Sequence, residues 1–154
     1  MSDIFINGIH AMVSQKINRE ASIRGQMTLG EIVITLKQID AEKPIRFQNG
    51  SYPGEYHSYR GYYEFISIAT QAEKVTVGEF LSATQSAIGE TYVGWKGGNF
   101  TMTKNTPVWI SRIGRASGWY VSDVIDHGKY VEIAGMREDE WADKNMPSSG
   151  GVDQ

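Results

Sequence analysis

Two helix starts of one design constrain the fold more than any other feature. Thr28-Leu29-Gly30-Glu31 and Thr76-Val77-Gly78-Glu79 each read as a capping box. In such a box the threonine hydroxyl accepts from the glutamate N–H, and the glutamate reaches back to the threonine N–H. Each box opens a run of apolar residues at helical spacing: Leu29, Ile32, Val33, Leu36 and Ile39, then Phe80, Leu81, Ala83, Ala87 and Ile88. One face of each helix must therefore be buried. The first helix should stop between Asp40 and Lys43, because Pro44 disfavours helical geometry just before it, and the second at Gly89. The shared threonine, glycine and glutamate leave two explanations open, an internal duplication or convergence on a good cap.

The rest of the chain reads as strands and turns. Ile45-Arg46-Phe47 is a short strand, and residues 63–69 form one with apolar positions on both faces, which suits an inner place in a sheet. Residues 91–102 alternate bulky and small side chains around Gly97-Gly98, and Pro107-Val108-Trp109-Ile110 is a further strand. Residues 119–125 and 129–134 flank Asp126-His127-Gly128, a hairpin turn with a glycine suited to positive φ. The expected class is α+β, with two or three helices packed on a mainly antiparallel sheet of five to seven short strands. Residues 1–26 read as a helical extension capped by Ser2 or Asp3, with Phe5, Ile9, Met12 and Val13 on one stripe. That stripe would pack on the domain or on a second copy, giving a homo-oligomer. The domain itself spans 27–146, and 147–154, rich in proline, serine and glycine, is a flexible tail.

Composition narrows the chemistry. With no cysteine, disulfides, thiolate catalysis and thiolate metal sites are excluded. A net charge of −3 offers no global positive field, so neither bulk nucleic acid nor an anionic membrane is an expected partner. No apolar run reaches the roughly 18 residues of a membrane span, and Asn7, Gly8 and His10 interrupt the N-terminal apolar residues where a secretion signal would be continuous. The cytoplasm is the expected compartment. His10, His57 and His127 lack metal-site spacing, the clusters Asp123/Asp126 and Glu138–Asp143 lack calcium-loop spacing, and neither a P-loop nor a dinucleotide fingerprint is present. No metal and no cofactor are expected.

The stretch from Asn49 to Glu64 holds five tyrosines with glycine, proline, His57 and Arg60. It reads as an ordered loop that stacks on a planar ligand, or as an aromatic cap over the core. Within it Arg60 could clamp a phosphate while Tyr59 or Tyr62 stacks on a base, with Tyr56 and His57 beside them; pairing of Arg60 with Glu55 or Glu64 is the structural alternative. In Gly94-Trp95-Lys96-Gly97-Gly98 the glycines admit a ligand to the backbone, Lys96 supplies charge and Trp95 or Tyr92 a stacking face; a tight hairpin explains the glycines equally well. Arg112 and Arg115 flank Gly114 in a basic segment that could close over an anion or remain an exposed loop. The candidate ligand-binding set is Tyr56, His57, Tyr59, Arg60, Tyr62, Trp95, Lys96, Gly97 and Arg112, with no catalytic residue.

The motifs TLGE (28–31), HSYRGYY (57–63), TVGE (76–79) and GWKGGNFTM (94–102), in this order, resemble a family of small uncharacterised proteins of tailed bacteriophages and prophages. The resemblance covers residues 27–110 and implies a viral accessory protein in the cytoplasm of an infected bacterium, where such genes commonly encode counter-defence factors. The expected function is then a binding protein that sequesters a small anionic nucleotide-derived immune signal without catalysis. One alternative is a protein-binding, anti-CRISPR-like inhibitor of a host defence complex. Another is a nucleotide-cleaving enzyme using His57 with Glu55 or Glu64.

Overall fold

The computed structural model describes residues 19–59, 62–93, 98–112 and 115–138. Residues 19–24 are helical (α1). They are followed by α2 (Leu29–Lys37), β1 (Pro44–Phe47), β2 (Tyr52–Tyr59), β3 (Tyr62–Gln71), β4 (Val75–Thr76) and α3 (Val77–Ala87). A small hairpin of β5 (Thr91–Val93) and β6 (Asn99–Thr101) precedes β7 (Val108–Arg112), β8 (Arg115–Asp126) and β9 (Val131–Arg137). The fold is α+β. Its main sheet has seven strands in the order β2-β3-β7-β8-β9-β1-β4, antiparallel except for the pairs β3/β7 and β9/β1.

Both capping boxes form, with Glu31 N–H and Glu79 N–H each donating to its threonine hydroxyl at 3.2 Å. The likeness of the two starts extends far beyond the caps. Leu29 and Gly30 N–H donate to the carbonyls of Thr106 and Lys104, at 3.0 and 2.8 Å; Val77 and Gly78 N–H donate to those of Lys43 and Ala41, at 2.8 and 2.9 Å. The two receiving turns are built alike. Asp40 Oδ1 accepts from Glu42 N–H at 2.9 Å, and Thr103 Oγ1 from Asn105 N–H at 3.1 Å. Each turn ends in a proline facing the other half's cap threonine, Pro44 with Thr76 and Pro107 with Thr28. The strands that follow obey the same rule: β1 runs parallel to β9, β7 parallel to β3, and each partner closes an antiparallel hairpin whose register shifts, twice in β2–β3 and once in β8–β9. The chain is thus two copies of one unit, comprising an extended cap, helix, turn, strand and hairpin, and each helix start docks on the other copy's turn. The β5–β6 hairpin is an insertion in the second copy.

The sheet is not flat. Three residues join β3 to β4, so the Cα atoms of Gln71 and Val75 lie within about 14 Å. Five strand spacings of a flat sheet would put β3 and β4 about 24 Å apart. The sheet must curl, and it does so until β1 meets β2, where Phe47 N–H donates to Ser51 O at 2.7 Å. Inside the curl lie Ile45, Ile66, Ile68, Val108, Val121, Val131 and Ile133, packed with Leu29, Ile32 and Leu36 of α2 and Val77 and Phe80 of α3. On the outer face the Arg24 guanidinium sits 5.1 Å from the Trp109 ring centre and 5.5 Å from that of Tyr120, and the Tyr120 hydroxyl donates to Arg24 O at 3.2 Å. Within the described part of the extension, Arg24 and Gln26 therefore pack against the sheet, the Gln26 amide donating to Val108 O at 2.9 Å. Met27 then carries the chain inward between β7 and β8, bonded to Val108 and Val121.

Two expectations are corrected in detail. α2 stops at Lys37, capped by Gln38, rather than between Asp40 and Lys43. The Asp40 carboxylate bonds its own turn there, and such local bonding competes with helix. The last hairpin turns through 127–130 rather than 126–128, since Asp126 already pairs with Val131. That turn is held by His127 stacked on Tyr130 at 4.8 Å and by His127 Nε2 at 2.7 Å from Glu132 Oε1.

Candidate functional site

Strands β3, β7, β9 and β1 all run the same way through the curl. The helix caps dock where β1 and β7 begin, and a cleft of about 530 Å³ opens where these strands end. Its floor is formed by Phe47, Ile110 and Ile133, inward-facing positions at those ends. Its rim is polar, with Gln48, Asn49 and Ser51 from the β1–β2 turn and Thr70 from β3, and the buried Ser111 of β7 also lines it. That turn is rigidly made. Asn49 Oδ1 accepts from both Ser51 N–H (3.0 Å) and Ser51 Oγ (2.7 Å), and Gly50 takes φ +91°, a conformation glycine adopts without cost.

One wall is the half-buried Trp119, opposite Ile110 in the β7–β8 pair. Gly135 on β9 lies beside it. A Cβ there would stand 2.9 Å from Ile110 Cδ1 and 3.4 Å from Trp119 Cε3, so the missing side chain lets both lie across β9. Two residues further on, the Arg137 guanidinium is 5.9 Å from the Trp119 ring centre. An apolar floor, a flat aromatic wall with a cation beside it and a rim of hydroxyls and amides are the parts from which small-molecule sites are made, and barrel mouths are a common place for them.

Of the residues expected to bind a ligand, Tyr56, His57, Tyr59 and Tyr62 lie on one hairpin and Arg112 on β7. The tyrosine-rich stretch is not a loop: it is the β2–β3 hairpin, and β2 is the first strand of the sheet order. Tyr56 faces inward, its ring stacked on Phe80 at 5.6 Å and 11°. Its hydroxyl is 3.1 Å from Thr84 Oγ1, whose own proton goes to Phe80 O at 2.8 Å, so Tyr56 is the donor. Burial pushes its phenol pKa far up, against the smaller pull of the Thr84 bond. His57 points the opposite way, with Nδ1 at 3.0 Å from Ser58 O. Tyr59 and Tyr62 pair at the turn end of the hairpin, eight residues or roughly 26 Å along β3 from Thr70 of the cleft. Arg60, Trp95, Lys96 and Gly97 lie outside the described residues, as do the whole N-terminal stripe and the 147–154 tail. Among the described candidates, Arg112 adjoins the cleft, as the backbone neighbour of Ser111.

Sequence reasoning passed over Trp119, Gly135, Ile110 and Thr70. The available signal was Gly135, a glycine inside an apolar strand, which marks a close approach to the backbone. Among the described residues no three histidine, aspartate or glutamate side chains gather as a metal site, and no helix is long and apolar enough to cross a membrane. No family model, curated protein or solved structure matches the chain.

Proposed function

We propose that this is a non-catalytic binding protein whose cleft takes a small, planar, anionic ligand of nucleotide origin. Its role would be the sequestration of such a signal by a phage-borne counter-defence factor acting in the cytoplasm of an infected bacterium. The observation that carries the reading is the cleft, where the Trp119 indole forms one wall, hydroxyls and amides form the rim and Arg137 stands beside the indole. A base stacks on the indole, the rim hydrogen-bonds the polar remainder, and Arg137 faces the phosphate. The phage-family resemblance of the four motifs supplies the biological setting.

Native mass spectrometry of the protein with cyclic dinucleotides, cyclic oligonucleotides and ADP-ribose derivatives tests this. One of these should be retained with unchanged mass, and Trp119→Ala should abolish its retention. Recovery of a processed nucleotide would replace binding by catalysis. No adduct with any member of the panel would overturn the nucleotide reading.

A further inference from the structure

We infer that the cleft is built for a ligand with one planar ring and one hydroxyl-bearing polar end, rather than for a ligand with two rings. This rests on the ligand-binding reading above and narrows its chemistry. The two copies of the folding unit meet at the cleft, and their hydrogen-bond register pairs the residues that line it. Phe47 of the first copy corresponds to Ile110 of the second, since each follows a turn-ending proline by three residues. Phe47 bonds Ser51 where Ile110 pairs with Trp119, so Ser51 corresponds to Trp119. Ile110 pairs with Ile68 and Phe47 with Ile133, and Thr70 and Gly135 each lie two residues further on, so Thr70 corresponds to Gly135.

The first pair is alike, since both members are bulky and apolar. The other two pairs differ in character. The second copy presents an indole over a glycine, and the first presents two hydroxyls, Ser51 and Thr70, at the matching places. The glycine and the indole belong to one device, because a Cβ at Gly135 would meet Trp119 Cε3 at 3.4 Å. A ligand with two like rings would stack one on Trp119 and press the other on the hydroxyls, stripping their water without replacing it. A ring joined to a hydroxylated part satisfies both sides at once.

The test is calorimetric titration of the full chain with three probes: adenosine monophosphate with one planar base, cyclic di-adenosine monophosphate with two, and ribose 5-phosphate with none. Adenosine monophosphate should bind at least about tenfold more tightly than either other probe, as expected from one base stack on an aromatic side chain. Trp119→Ala should remove that advantage over ribose 5-phosphate, and Trp119→Phe should restore most of it, which separates lost stacking from lost folding. Ser51→Ala should weaken adenosine monophosphate and ribose 5-phosphate alike. Equal or tighter binding of the two-base probe would overturn this inference while leaving the ligand-binding reading intact. Unchanged adenosine monophosphate binding in a folded Trp119→Ala would also overturn it, by removing the ring from that wall. Failure of all three probes would overturn the nucleotide reading and this inference with it.

Discussion

Tyr56 and Trp119 show how much of the chemistry depends on which way one side chain points. Both are aromatic residues on strands, and composition drew attention to Tyr56 because it stands among other tyrosines. The register of β2 against β3 turns it inward onto Phe80, while Trp119, in a plainer stretch, faces the cleft. A one-residue shift in register would exchange the faces, and nothing local to the tyrosine run fixes that register. Tyr56→Phe should lower stability by about 0.5–1.5 kcal/mol in urea unfolding, toward the low end because Thr84 keeps its bond to Phe80. The raised phenol pKa also has a sign. Burial favours the neutral form in the folded state, so this contribution is complete below the ordinary value of 10.0 and is lost as pH rises above it. The wild type should therefore lose more stability than Tyr56→Phe between about pH 9 and pH 11, read from urea midpoints. At the cleft, Gly135→Ala places a methyl 2.9 Å from the flexible end of Ile110. Ile110 should yield into the cleft, so ligand affinity should fall about tenfold while the unfolding midpoint changes little, checked by titration alongside thermal melting.

The helices and short strands were the most legible elements, because their signals are local. Capping boxes, apolar periodicity and Pro44 identify α2 and α3 from a few neighbouring residues, and both caps form as read. What the local reading could not contain was why each box carries a glycine. Gly30 and Gly78 press on the turn of the other copy, where a Cβ on Gly30 would lie 2.9 Å from Lys104 O and one on Gly78 would lie 3.3 Å from Ala41 O. The two glycines are therefore unequal. Alanine gains about 1 kcal/mol of helix propensity over glycine, while overpacking against backbone costs about 1–3 kcal/mol. Gly30→Ala should destabilise clearly and Gly78→Ala should stay within about 1 kcal/mol of wild type, as denaturant midpoints will show. Equal effects would argue against the close approach at Lys104.

At the scale of the molecule, the doubling was visible in sequence only as three matching residues, and the topology was not visible at all. The pairs β1 with β9 and β7 with β3 join opposite copies, and such long-range pairing leaves no mark within either strand. Neither copy closes its own sheet. Chains cut in the exposed connection at 72–74 should each lack a cooperative unfolding transition, and mixing the two pieces should restore one, as followed by circular dichroism. The cleft follows from the same interlocking, since both copies must meet before Ser51 and Trp119 can face one space. The most direct test of the account is amide chemical-shift mapping with the nucleotide that native mass spectrometry retains. The largest changes should fall at 48–51, 70, 110–111, 119 and 133–135, the ends of the strands around the cleft. Changes concentrated at 56–59 and 62, with the cleft amides unmoved, would contradict it and return the site to the tyrosine hairpin.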